Sequence, residues 1–95
     1  MSSRVDWTVQ RLQTLALRGV VAEDLLEHIV SSLGDELSPL TVMASLRGAF
    51  DVPLFDLRDK VEGWQGLDRA GCDVPTSEVV AALDPFVREF RSGRR

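Results

Sequence analysis

Residues 38–64, S-P-L-T-V-M-A-S-L-R-G-A-F-D-V-P-L-F-D-L-R-D-K-V-E-G-W, constrain the fold more than any other stretch. They carry a helix start, a stop and a second start in close succession. Ser38 is a good N-cap, because its hydroxyl can accept from an orphan backbone N–H of the first turn. Pro39 falls at the first helical position, where a missing N–H costs nothing. Leu40, Met43, Leu46 and Phe50 then recur at helical spacing, with Val42 and Ala49 beside them. The corner that follows is Asp51, Val52 and Pro53. Asp51 is placed to cap the next helix, and Pro53 fixes φ early in its first turn. Leu54, Leu57, Val61 and Trp64 make the second apolar stripe, flanked by Asp56, Arg58, Asp59, Lys60 and Glu62, and Gly63 and Gly66 end it. A corner this short makes the two helices neighbours, so their stripes must face one core.

The same signals recur on both sides. A helix over 6–18 has Val9, Leu12, Leu15 and Ala16 on its inner side and closes at Gly19. A helix over 22–33 carries Leu25, Leu26, Ile29, Val30 and Leu33, and Gly34 ends it. Its first turns hold Glu23, Asp24 and Glu27, where carboxylates suit the positive end of the helix dipole. After a loop at 67–75, Val79, Val80, Leu83, Phe86, Val87 and Phe90 predict a helix over 76–91, kinked or broken at Asp84 and Pro85. No stretch reads as a strand. The expected fold is therefore all-α, a compact bundle of five short helices at about 6–18, 22–33, 38–50, 53–65 and 76–91. One domain over 1–91 and a mobile basic tail over 92–95 complete it, with residues 1–4 frayed. The predicted core is Val9, Leu12, Ala16, Leu26, Ile29, Val30, Leu33, Leu40, Met43, Leu46, Phe50, Leu57, Val61, Val79, Leu83 and Phe86.

Composition narrows the function classes. With 95 residues and 44% apolar content the chain can bury a small core. It has no apolar run of membrane-spanning length, and its first residues lack the apolar segment of a signal peptide. One cysteine precludes an internal disulfide and agrees with a reducing compartment, so a cytoplasmic setting is expected. Ten of the eleven basic residues are Arg, which reads as the composition of a GC-rich, bacterial genome. A net charge of −4 disfavours non-specific binding to nucleic acid or acidic membranes.

Chemistry-bearing motifs are sparse. His28 and Cys72 are the only histidine and the only cysteine, and no motif surrounds either. Ligand spacing for a metal and a loop for a nucleotide are absent, so no catalytic residue, cofactor or metal is expected. Glu23, Asp24, Glu27, Asp35 and Glu36 form an acidic cluster that reads either as a solvated face or as a docking face for a basic partner. Trp7 and Trp64 are large for so small a domain and become interface anchors if exposed. Phe55 lies off the main stripe of its helix and faces solvent or a partner.

Three partial likenesses run through these stretches. Residues 42–63 resemble the helical hairpin of ribosomal stalk protein C-terminal domains, with D-V-P where that family has a glycine-rich corner. Residues 35–52 resemble the second helix of acyl carrier proteins. There the family's pantetheine-bearing serine falls on Glu36, which cannot carry a phosphodiester. The acidic L-L-E-H-I-V at 25–30 is similar to colicin immunity proteins, small acidic helical bundles, whose tyrosine-rich toxin-binding motif cannot exist in a chain without Tyr. None of the three transfers a function.

The expected function is a non-enzymatic protein-interaction module: an adaptor, regulator or immunity-type binder. Its partner is a protein with a basic surface, contacted by Glu23, Glu27, Trp64 and Phe55, and a homodimer is compatible with the sequence. The alternative is a helix-turn-helix-like DNA-binding regulator that presents Arg58 and Lys60 from the helix at 53–65 and uses the basic tail. A third is a degenerate carrier-like domain without a pantetheine serine.

Overall fold

The computed structural model describes residues 3–53, 55, 57–68 and 70–93, Ser3 by its backbone only. Among the described residues five helices form: α1 (Ser3–Leu17), α2 (Ala22–Leu33), α3 (Pro39–Phe50), α4 (Arg58–Glu62) and α5 (Thr76–Arg91). Single 3-10 turns at Gly34–Glu36 and Gln65–Leu67 follow α2 and α4. Among the described residues there is no strand, only an isolated parallel bridge between Trp64 and Val74. The chain is the small all-α bundle that its apolar periodicity predicts. Along one side α1 packs on both α2 and α3, while α5 lies on α2 and α4 lies on α3. Leu12, Leu25, Leu26, Ile29, Leu33, Leu46, Phe50, Leu57 and Leu83 are fully buried where these elements meet. Phe90 closes the α5 side of this core, edge-on to Phe50 at 5.3 Å between ring centroids.

The start of α3 follows the sequence closely. Ser38 Oγ accepts from the Thr41 N–H at 3.2 Å, and Thr41 Oγ1 accepts from the Ser38 N–H at 2.9 Å, a reciprocal capping box with Pro39 just inside. Gly19 and Gly34 follow α1 and α2 at φ of 92° and 52°, the left-handed turn that glycine reaches without a Cβ clash.

Four expectations need correction. First, α1 begins at Ser3, not near residue 6, because Val5 is buried against the core and Thr8 Oγ1 donates to the Arg4 carbonyl at 2.6 Å. Second, the fourth helix is five residues long, Arg58–Glu62, and does not span 53–65. Asp51 closes α3 instead of opening α4: it adopts φ 56° and its N–H donates to Arg47 O at 2.9 Å. Val52 is then drawn fully into the core and Leu57 becomes the N-cap of α4, while Leu54 and Asp56 lie outside the described residues. At the other end Trp64 leaves the helix to pair with Val74, through Val74 N–H to Gly63 O at 2.8 Å and Gln65 N–H to Val74 O at 2.9 Å. Third, Leu40 is 78% exposed rather than core. At about 100° per residue, the buried side of α3, Val42, Leu46, Ala49 and Phe50, is centred well round the helix from Leu40. Fourth, α5 is continuous through Asp84 and Pro85 to Arg91, so it carries no break there. Pro85 is exposed and gives up only the hydrogen bond to the carbonyl one turn back.

Two arginines hold helix ends that carry no basic residue of their own. Arg91, from the end of α5, donates Nε–H to Ala16 O at 2.8 Å and Nη2–H to Val20 O. Arg4 donates Nη1–H to Leu33 O at 3.0 Å, and its guanidinium lies 3.6 Å from the Glu36 carboxylate. Each puts positive charge on the negative end of a helix dipole and satisfies orphan carbonyls there. After α5, Ser92 N–H reaches Arg88 O and Gly93 N–H reaches Phe90 O, whereas Arg94 and Arg95 of the expected tail lie outside the described residues.

Candidate functional site

One surface groove, about 430 Å³, runs between α2 and the segment that leads from Trp64 to Thr76. Its α2 wall is Glu23, Leu26, Glu27 and Val30. The four residues share a face because helical neighbours recur at i+3 and i+4. Leu26 is buried, Val30 half-buried, and both glutamates are exposed, so the wall has an apolar foot and a carboxylate rim. The opposite wall is Trp64, Gln65, Gly66 and Thr76.

Trp64 is 2% exposed, so it is a core residue whose edge floors the groove and not a side chain that projects into a partner. Its place is tightly determined. The indole Nε1–H donates to Thr76 Oγ1 at 3.0 Å, and the backbone bridge to Val74 fixes the ring's entry into the core. Gly66 lies flat against the ring: a Cβ there would stand 2.4 Å from two indole carbons. The groove therefore has a stiff floor and one charged lip. A Lys or Arg side chain suits it chemically, with the aliphatic stem over Leu26, Val30 and the indole edge and the charged head at Glu23 or Glu27.

Of the residues expected to bind a partner, Glu23, Glu27 and Trp64 are brought together here. Phe55 is 77% exposed in the segment between α3 and α4 and does not line the groove. Trp7 is 53% exposed on α1, with the Arg11 guanidinium 5.4 Å from its ring centroid. Arg11 and Arg18, seven residues apart, share that face with Gln10 and Thr14.

The remaining candidates sit apart from the groove. His28 is half-buried on α2, and the Cys72 thiol donates to Glu62 O at 3.6 Å, against the end of α4. Among the described residues no hydrogen bond joins the two, and no three His, Cys, Asp or Glu side chains gather as a metal site requires. Arg58, offered to DNA in the alternative reading, donates Nε–H to Glu62 at 3.0 Å. That hydrogen bond, with the Glu62 charge, raises the guanidinium pKa above its ordinary value. A helix of five residues is about 7.5 Å long, too short to lie along a major groove as that reading required. Glu36, at the carrier-protein position, accepts from Thr41 Oγ1 through its carbonyl at 2.6 Å and pairs with Arg4, a structural use.

A second surface feature was missed because Leu40 was read as part of the apolar stripe of α3. Leu40 is a crest on α3 with an open groove on each side. One is lined by Pro39, Met43, Arg58 and Glu62, the other by Asp6, Val9, Ala44, Arg47, Gly48 and Asp51. A strict helical wheel centred on Val42, Leu46 and Ala49 would have shown Leu40 pointing away from the core.

Fold and surface together define a small all-α bundle with a carboxylate-lipped groove. No family model matches the chain, and no curated protein or solved structure matches it either. Among the described residues no helix is long and apolar enough to cross a membrane.

Proposed function

We propose that this chain is a non-enzymatic protein-interaction module, an adaptor, regulator or immunity-type binder, that takes a basic segment of another protein in the α2 groove. The carrying observation is the convergence of Glu23 and Glu27, one turn apart, above a floor of Leu26, Val30 and Trp64. Carboxylates at the lip steer a cationic partner, and the apolar floor holds the stems of its side chains. Specificity comes from the floor, which Gly66 and the bond from Trp64 to Thr76 keep in one shape.

Titration of a fluorescein-labelled peptide with alternating Arg and Leu, followed by anisotropy at several salt concentrations, tests the proposal. Binding should weaken as salt rises. Changing Glu23→Lys together with Glu27→Lys should lower affinity by about tenfold or more, equivalent to about 1.4 kcal/mol. Binding and salt dependence identical to the unmodified chain would sink the proposal.

A second reading, contact with nucleic acid, is favoured by the α1 face, where Arg11 and Arg18 flank the exposed indole of Trp7. Such a face offers phosphate contacts and a stacking surface. A low-salt gel shift with single-stranded DNA tests it: a shift abolished by Arg11→Glu with Arg18→Glu supports it, and no shift with the unmodified chain removes it.

A further inference from the structure

The two walls of the α2 groove offer different chemistry. On α2, Glu23 and Glu27 stand one turn apart, about 6 Å along the axis. On the other wall Gln65 is exposed, and its backbone is already committed: its N–H donates to Val74 O at 2.9 Å, and its carbonyl accepts from the Asp68 N–H at 3.0 Å. Its side chain is not. Among the described residues no hydrogen bond or ion pair engages the Gln65 carboxamide or either glutamate carboxylate. One wall therefore presents two anionic acceptors, and the other a neutral group that both donates and accepts. We infer that the segment taken by this groove is extended, with cationic side chains at alternate positions and its backbone read by Gln65.

The inference rests on the basic-segment reading of the groove and adds the conformation and spacing of that segment. Alternate side chains of an extended chain point to one side and repeat about every 6.6 Å, which matches the step from Glu23 to Glu27. From Glu23 to Val30 the α2 wall rises about 10.5 Å, the span of about three extended residues. The frame is a cation, an intervening residue that turns to the opposite wall, and a second cation. A helix with cations four residues apart would meet the two glutamates equally well, so the charged lip alone does not choose between them. Gln65 does. A helix keeps its N–H and C=O groups bonded within itself and gives a carboxamide nothing to bind. An extended segment leaves both kinds of group open along its edges, and the carboxamide carries a partner for each. The bridge to Val74 holds the Gln65 backbone, so its side chain starts from a fixed point on the groove wall.

Anisotropy titrations of the whole chain at low salt, with three fluorescein-labelled peptides carrying the same number of Arg, read the outcome. The first alternates Arg and Leu. The second is a side-chain-stapled helix with Arg at every fourth position. The third is the first with its Leu amides N-methylated. The alternating peptide should bind about tenfold tighter than either of the others. Gln65→Leu, at an exposed position, should keep the helical circular dichroism, lower affinity for the alternating peptide by about threefold to tenfold, and leave the stapled helix unaffected. Equal or tighter binding of the stapled helix, still lost on Glu23→Lys with Glu27→Lys, would overturn the extended conformation while the basic-segment reading stands. Full affinity for the N-methylated peptide, or full affinity of the Gln65→Leu chain for the alternating one, would overturn the backbone contact. Binding of none of the three would overturn the reading of the groove itself, and this inference with it.

Discussion

At the residue scale, two side chains show how little a local pattern says about environment. Leu40 and Leu46 both fall on the apolar stripe of α3, yet one is exposed and the other fully buried. Leu40→Ala should therefore change unfolding free energy by less than about 0.5 kcal/mol, whereas Phe50→Ala should cost roughly 3–5 kcal/mol. Urea denaturation followed by circular dichroism separates the two cases, and equal losses would place Leu40 in the core after all. Gly66 is the opposite case, a residue with no side chain whose environment is nonetheless demanding. Gly66→Ala puts a methyl group into the Trp64 ring and should destabilise by about 1–3 kcal/mol. The same substitution should disturb Trp64 fluorescence, since ring and backbone must separate.

At the element scale, helices begin by local chemistry and end by whatever reaches them. The α3 start is a closed local device, and Ser38→Ala should cost about 0.5–2 kcal/mol in a thermal melt. The ends of α1 and α2 are met from 75 and 29 residues away, by Arg91 and Arg4. Arg91→Ala should leave the α1 N-terminus unaffected while speeding amide exchange near Gly19 and Val20, with a stability loss of about 0.3–2 kcal/mol. Uniform protection across α1 in that variant would show that the guanidinium is not holding the helix end. The Asp51 corner belongs to this scale too. An Asp before Pro reads as a helix start, but a left-handed residue after a helix is also a stop, and here the stop prevails because it lets Val52 bury.

At the scale of the whole molecule, a small core leaves much of the chain's character to its surface. Charge is unevenly spread: carboxylates crown the α2 groove, while α1 presents Arg11, Arg18 and an exposed indole. The groove exists only because the segment after α4 folds back through the Trp64–Val74 bridge and meets α2. Releasing the indole from its tether in that segment should therefore impair peptide binding without touching either glutamate. Thr76→Val, which removes the acceptor of the indole N–H, should weaken binding of the Arg/Leu peptide and lower stability by about 1–3 kcal/mol. Unchanged binding in that variant would detach the floor from the site.

The sequence by itself determined the class of fold, the places where α2, α3 and α5 run, and most of the core. Those features rest on interactions within a few residues: periodicity, Ser38 with Thr41, and glycines after the last turns. It also singled out Glu23, Glu27 and Trp64, though without a reason for them to meet. Only the tertiary structure decided the length of α4, the arginines that reach distant helix ends, and the groove itself. Each depends on which elements lie beside one another, and in a chain of short amphipathic helices that choice is made by the packing of the whole core, where a buried Val52 or an indole against a glycine outweighs a local helix signal.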